Sequence, residues 1–241
     1  MPDTKAPLIM KHRFSDETIP FLTEAGQQTD PAWLDSHQQA YDEHVRSPFI
    51  EVAQTLRSKL QQSVPDYHFP TKGIGRIRKP SNKVVSGGAH YKDWLSISAS
   101  RPSGSRFERN PHLFFGILPN VEPYMGIIVA GGLFMPSGQQ LKKVRHAIAA
   151  DSRPFHDLFC DQTFKARFQT GFSTQSASAR TPRGFDPDHP DKELLRLKAF
   201  LVIKKLSLTE FTSDTLALSL VEDFKQLIRL NRLLEAALEQ A

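Results

Sequence analysis

The fold is decided by residues 124–150, YMGIIVAGGLFMPSGQQLKKVRHAIAA, where the spacing of apolar residues changes period. Met125 to Met135 is apolar and β-branched but interrupted by Gly131-Gly132, too glycine-broken for a stable helix. It reads as a buried strand with a bulge or a close backbone approach at the glycine pair. A helix is expected to follow. Ser137 and Gln140 have the spacing of a capping box, in which each side chain satisfies an orphan backbone N–H of the first turn. Leu141, Val144 and Ile148 then form an apolar stripe, whereas Lys142, Lys143, Arg145 and His146 lie largely off it and read as a wet face.

Upstream, residues 1–12 read as a flexible tail and 13–241 as one domain. Ser15 before Asp16 and Glu17, Asp30-Pro31, and Ser47-Pro48 each signal a helix start, so three helices are expected before the first strand. Gly75 to Lys79 and Trp94 to Ser98 alternate with the period of half-buried strands. His112 to Leu118 and Tyr124 to Ala130 suggest a hairpin around Pro119-Asn120.

Downstream, Arg153 to Phe168 holds one or two short helices, and Asp188 or Asp191 can cap another carrying Leu194, Leu195 and Leu197. Ala199 to Leu206 is a strand or a buried helix, which periodicity alone does not separate. Leu216, Leu220, Leu227, Leu234 and Leu238 mark a long C-terminal helix. The expected fold is a single α+β domain. Its central antiparallel sheet, of roughly four to six strands from about Gly75 to Met135, is covered by the N-terminal helices, the Ser137 helix and the C-terminal helix.

At 241 residues and 39% hydrophobic content, the chain can bury a sizeable core as one domain. Thirty-one basic against 26 acidic residues give +5 on a mixed surface, which permits nucleic-acid binding without indicating it. The single cysteine, Cys160, excludes a disulfide framework and, beside Leu158 and Phe159, is expected to be a buried, inert thiol. No signal peptide opens the chain and no apolar run approaches the ~20 residues of a membrane helix, so a cytoplasmic protein without a membrane partner is expected. The histidines never fall at i, i+4, and no phosphate loop, dinucleotide fingerprint or nucleophile elbow occurs. No metal and no cofactor are expected.

Arg76, Arg78, Lys79, Lys83 and Lys92 place five cations within seventeen residues, interleaved with Gly and Ser. Guanidinium forks grip phosphate or carboxylate in a bidentate way, so an anionic small molecule is one reading, with Arg183 as an outlying contact. A solvated strand edge kept from aggregating by its charges is the other. Asp186, Asp188 and His189 form the tightest acid/base cluster. It would serve a hydrolase or transferase acting on a charged substrate, or simply hold a turn, as Asp-Pro and His-Pro commonly do. The leucine face from Thr215 to Leu238 is wider than one domain requires and raises a protein-interaction role. Gly131-Gly132 ahead of a capped helix offers either an anion site or a packing device.

Three stretches resemble the bacterial family catalogued as domain of unknown function 2461. Trp33, Tyr41 and Arg46-Ser47-Pro48-Phe49 are similar to its tryptophan, tyrosine and proline-phenylalanine pattern. Gly131 to Pro136 with Leu141, Arg145 and Ile148 resembles its glycine-glycine turn and following helix. Pro182-Arg183-Gly184-Phe185-Asp186-Pro187-Asp188-His189-Pro190 with Leu194 to Lys198 resembles its most specific block. The family's arginine, arginine-aspartate, arginine-phenylalanine, lysine and proline-tyrosine signature is degenerate here. Only Arg76, Lys79, Lys83 and Tyr91-Lys92 stand near its places. The resemblance implies a single domain and brings no activity with it.

Overall fold

The computed structural model describes residues 10–103 and 108–239. Most of the expected tail, residues 1–9, lies outside the described residues. Met10 is buried and its N–H donates to the Asp214 carbonyl, while the Lys11 and His12 amides donate to the Glu51 carboxylate at 2.7 Å each.

Three short helices open the domain: α1 (Thr18–Ala25), α2 (Trp33–Ser36) and α3 (Gln38–Tyr41). A π turn over Asp42–Arg46 then runs without a break into α4 (Ser47–Leu60). Pro48 explains the change of helix type. It has no N–H to offer the His44 carbonyl, which instead accepts the Thr18 hydroxyl at 2.7 Å. α4 thus begins at Ser47-Pro48 as expected, although it continues the rod that the π turn starts instead of following a loop. Ser15 does not cap α1, since its hydroxyl meets His44 Nδ1 at 2.9 Å and Glu17 holds the cap position.

The sheet has four antiparallel strands in the order β1 (Leu95–Ser100), β2 (His112–Leu118), β3 (Gly126–Leu133) and β4 (Phe200–Lys205). The antiparallel sheet is thus as expected, with 200–205 settled as strand and contributing an edge. Gly75 to Lys79 is not a strand. Gly73 and Gly75 both take positive φ, Arg76 N–H closes a turn on the Gly73 carbonyl, and only an isolated Arg78–Tyr91 bridge remains before Pro80. The glycine pair in β3 carries no bulge, because Gly131 and Gly132 stay in register with Val202 and Leu201. The close approach is real, with Leu227 against Gly131 and the Phe200 carbonyl against Gly132.

Helices gather on one face of this sheet. There α10 (Leu216–Glu239) lies across β3, with α4, α5 (Gly138–Ala150), α6 (Arg153–Cys160) and α7 (Gln162–Arg167) packed around it. Leu113, Phe115, Ile117, Val129, Phe200 and Val202 face that layer and are buried. So are Leu216, Leu220, Leu227 and Leu234 of α10, and no α10 residue is among the exposed large hydrophobics. The breadth of the leucine face is accounted for by having a sheet and four helices to cover. Asp223 of α10, fully buried, takes Arg167 Nε at 2.7 Å and Lys204 Nζ at 3.1 Å, tying α7 and β4 to the helix.

A short α8 (Lys192–Arg196) packs on α5, and α9 (Leu208–Phe211) follows β4. Cys160 is exposed, correcting the buried thiol expected: it ends α6, whose inward positions go to Phe155 and Leu158. Among the described residues no helix is long and apolar enough to cross a membrane.

Candidate functional site

The cationic segment does not assemble as one face. Arg78 is committed to structure: its guanidinium donates to the Pro31 carbonyl, reaches Asp35 at 3.4 Å and lies 5.2 Å over the Tyr91 ring. Lys79 Nζ donates to the Ala89 carbonyl at 3.0 Å. Lys83 is exposed in a one-turn 3-10 segment. Arg76 is exposed beside Lys92, whose ammonium is pushed below the usual lysine range first by burial and then by the Arg76 charge. Lys92 also sits 4.7 Å over the Trp94 ring.

The acid/base cluster is spent on turn geometry. Asp186 Oδ1 accepts the Asp188 N–H at 2.9 Å. His189 Nδ1 accepts the Asp191 N–H at 3.0 Å, which leaves the Nε2 proton pointing at the Ala149 carbonyl 3.4 Å away. The carboxylate at the start of α8 is Asp191, and it caps nothing: it takes Ser152 Oγ and His156 Nε2, each at 2.6 Å, clamping α6 to α8. These contacts hold the Asp191 carboxyl below the usual range although its partial burial works the other way. No group of three His, Cys, Asp or Glu among the described residues is placed to hold a metal ion.

Arg183, the outlying member of the predicted set, lies elsewhere and in better company. Gly184 at φ +89° allows a type II turn in which the Phe185 N–H reaches back to the Pro182 carbonyl at 3.3 Å. This turn presents Arg183 to a cleft of about 360 Å³ whose opposite wall is the first half of α5, namely Gly138, Lys142, Arg145 and His146. Phe185 closes the end, its ring 5.0 Å from that of His146. The capping box predicted at Ser137 and Gln140 is present in both directions, so α5 starts where expected and Gly138 stands in its first turn.

The residue that sequence reasoning misplaced is Arg145. It was expected on the wet face of α5, yet it is only 8% exposed. One guanidinium nitrogen donates to the Leu197 carbonyl at the end of α8, at 2.8 Å, and Nε is buried with no hydrogen-bond partner among the described residues. Burial pushes its pKa below the usual arginine range, with no carboxylate opposing. A signal was available, because position 145 is four residues after Leu141 and three before Ile148, on the stripe that turns inward. The cleft wall thus joins a buried arginine, Lys142, His146, Arg183 and the amino end of a helix, with no acidic side chain lining it.

A family model described as a conserved hypothetical protein, DUF2461, matches residues 17–232. The chain belongs to that family. No curated protein matches it significantly, and no solved structure does. In this DUF2461 chain the three stretches that carry the resemblance have different fates. Trp33 and Tyr41 enter a buried aromatic cluster with Phe21, whereas the glycine-glycine helix and the Pro182 block face each other across the cationic cleft.

Proposed function

We propose that the protein is a binding module for a small oxyanion-bearing ligand, a phosphate ester or a carboxylate, held between α5 and the 182–185 turn. Arg145 carries the proposal. A buried guanidinium with a free Nε and no counterion is costly unless an anion completes its hydrogen bonds. Lys142 and Arg183, both exposed at the mouth, would attract the anion, and the first backbone amides of α5 add a favourable dipole. Binding is preferred to catalysis because Asp186, Asp188 and His189, the candidates for a hydrolase or transferase, do not line this cleft and already serve the turn. Within the basic segment, Arg76 and Lys92 are the neighbouring pair retained as an alternative location for the anion, since neither makes an ion pair among the described residues.

The test is calorimetric titration with inorganic phosphate and pyrophosphate at two ionic strengths. Saturable binding is expected, weakened at least tenfold by Arg183→Ala and lost in Arg145→Met, with both variants folded. Loss on Arg76→Ala with Lys92→Ala, while Arg183→Ala has no effect, would move the anion to the basic segment. Absence of saturable binding to either anion would end the proposal.

A further inference from the structure

The second face of the sheet holds a different kind of site. Phe114 of β2, Ala130 of β3 and Ile203 of β4 are consecutive register partners on the face turned away from α10, and Ile128 lies in the next row. An antiparallel sheet with one wet face usually alternates polar residues outward. Here the outward row is apolar and floors a cleft of about 310 Å³, within the range of small-molecule pockets. Tyr124 and Phe134, rings 6.0 Å apart and edge to face, form part of its wall together with Trp94.

Two lysines, Lys205 and Lys92, stand near this cleft. No acidic side chain lines it. Lys205 is the register partner of Ile128 and so projects from the same face, about 5 Å away at Cβ. Lys92 Nζ lies over the Trp94 ring. Neither lysine makes an ion pair among the described residues, and Lys205 is exposed beside the apolar row. We propose that this face binds an apolar monoanion, a carboxylate or sulfonate on a short alkyl or aryl body. The body would lie on Phe114, Ala130 and Ile203 and the charge against Lys205.

Trp94 provides the readout, since it is 37% exposed at the cleft while the other tryptophan, Trp33, is buried. Octanoate, octanol and octylammonium, titrated below their micellar range into the full chain, separate head charge from tail. Octanoate is expected to shift Trp94 emission saturably at one site, with octylammonium at least tenfold weaker. Lys205→Glu should lower octanoate affinity at least fivefold and reverse the charge preference, and Ala130→Phe, by filling the floor, should abolish binding. Excess inorganic phosphate should leave the octanoate-induced shift of Trp94 emission unchanged, which separates this site from the anion cleft. Equal affinity for the three heads, or no effect of Lys205→Glu, would overturn the proposal even if Ala130→Phe failed to fold. So would a dimer in sedimentation that octanoate does not dissociate and Lys205→Glu does, because the face would then belong to a second copy.

Discussion

Gly132→Ala tests how β3 is locked against β4. Gly132 has φ +122° and pairs with Leu201. A Cβ built there overlaps the Phe200 carbonyl oxygen and comes within 3.0 Å of its carbon and 3.2 Å of Leu201 Cα. All three atoms belong to the backbone of the paired strand, so the clash is relieved only by parting the strands. The φ value alone costs a non-glycine residue about 1–3 kcal/mol. Losing a ladder hydrogen bond in a buried sheet adds about 1–3 kcal/mol, giving an expected destabilisation of about 2–6 kcal/mol. Gly131→Ala is the internal control. The three nearest atoms to its Cβ are Leu227 Cβ, Cδ2 and Cγ, at 2.8–3.1 Å, so relief comes from a small displacement of α10 against the sheet and not from parting paired strands. That overpacking should cost about 1–2 kcal/mol. Urea unfolding followed by far-UV circular dichroism ranks the two. If Gly131→Ala cost as much as Gly132→Ala, or if Gly132→Ala cost under about 1 kcal/mol, the backbone approach would not be what sets the register.

Asp223→Ala leaves Arg167 and Lys204 partly buried without their carboxylate, and thermal unfolding should show a loss of about 3–5 kcal/mol, on the order of 10 °C for a chain this long. A loss below about 1 kcal/mol would mean the cations re-solvate freely. Asp66 is held below the usual carboxylate range chiefly by the Arg232 fork at 2.7 Å. Its folded pKa lies below the unfolded one, so its contribution is present above about pH 4 and disappears as pH falls through the folded value. Asp66→Asn should therefore flatten the stability profile below about pH 4, by less than about 1 kcal/mol because the pair is solvent-accessible; an unchanged acid limb would refute this. Thr18→Val removes the hydroxyl that satisfies the His44 carbonyl before Pro48 and should cost about 1–2 kcal/mol in urea unfolding, against near zero if water replaces it.

Much of the fold was legible because its signals are local. The capping box at Ser137, the β3 apolar run and the spacing of Leu216, Leu220, Leu227 and Leu234 each specify their element without help from distant residues. Gly75 to Lys79 misled for the opposite reason. Alternation over Gly75 to Lys79 does not make a strand when Gly73 at φ +68° and Gly75 at φ +75° bend the chain at its start and a proline follows. The disposition of the helices was also beyond pattern reading. Periodicity says that a strand has two faces, but an outward row of Phe114, Ala130 and Ile203 reads like a strand buried on both sides.

Charge density and charge placement part company in the candidate site. Five cations lie close together in residues 76–92, yet two of them, Arg78 and Lys79, already bond backbone carbonyls of the fold. A cation doing that work has its partner already. Arg145 is satisfied only in part: one guanidinium nitrogen has a carbonyl while its buried Nε has no partner among the described residues, and its polar neighbours Lys142, Lys143 and His146 make the position read as surface. Its partner Leu197 is 52 residues away, and the turn that brings Arg183 opposite it is 38 residues away. Only the packing of α8 on α5 reveals that position 145 points into protein. If burial of an uncompensated guanidinium is what marks the site, then replacing Arg145 with methionine should not destabilise the ligand-free chain by more than about 2 kcal/mol, since the lost bond to Leu197 is offset by relief of the buried charge. In excess phosphate, by contrast, the wild type alone should gain stability, by about 2.7 kcal/mol at a hundredfold excess over its dissociation constant. A variant that lost several kcal/mol without ligand, and a wild type indifferent to phosphate, would make Arg145 a cap for α8 and nothing more.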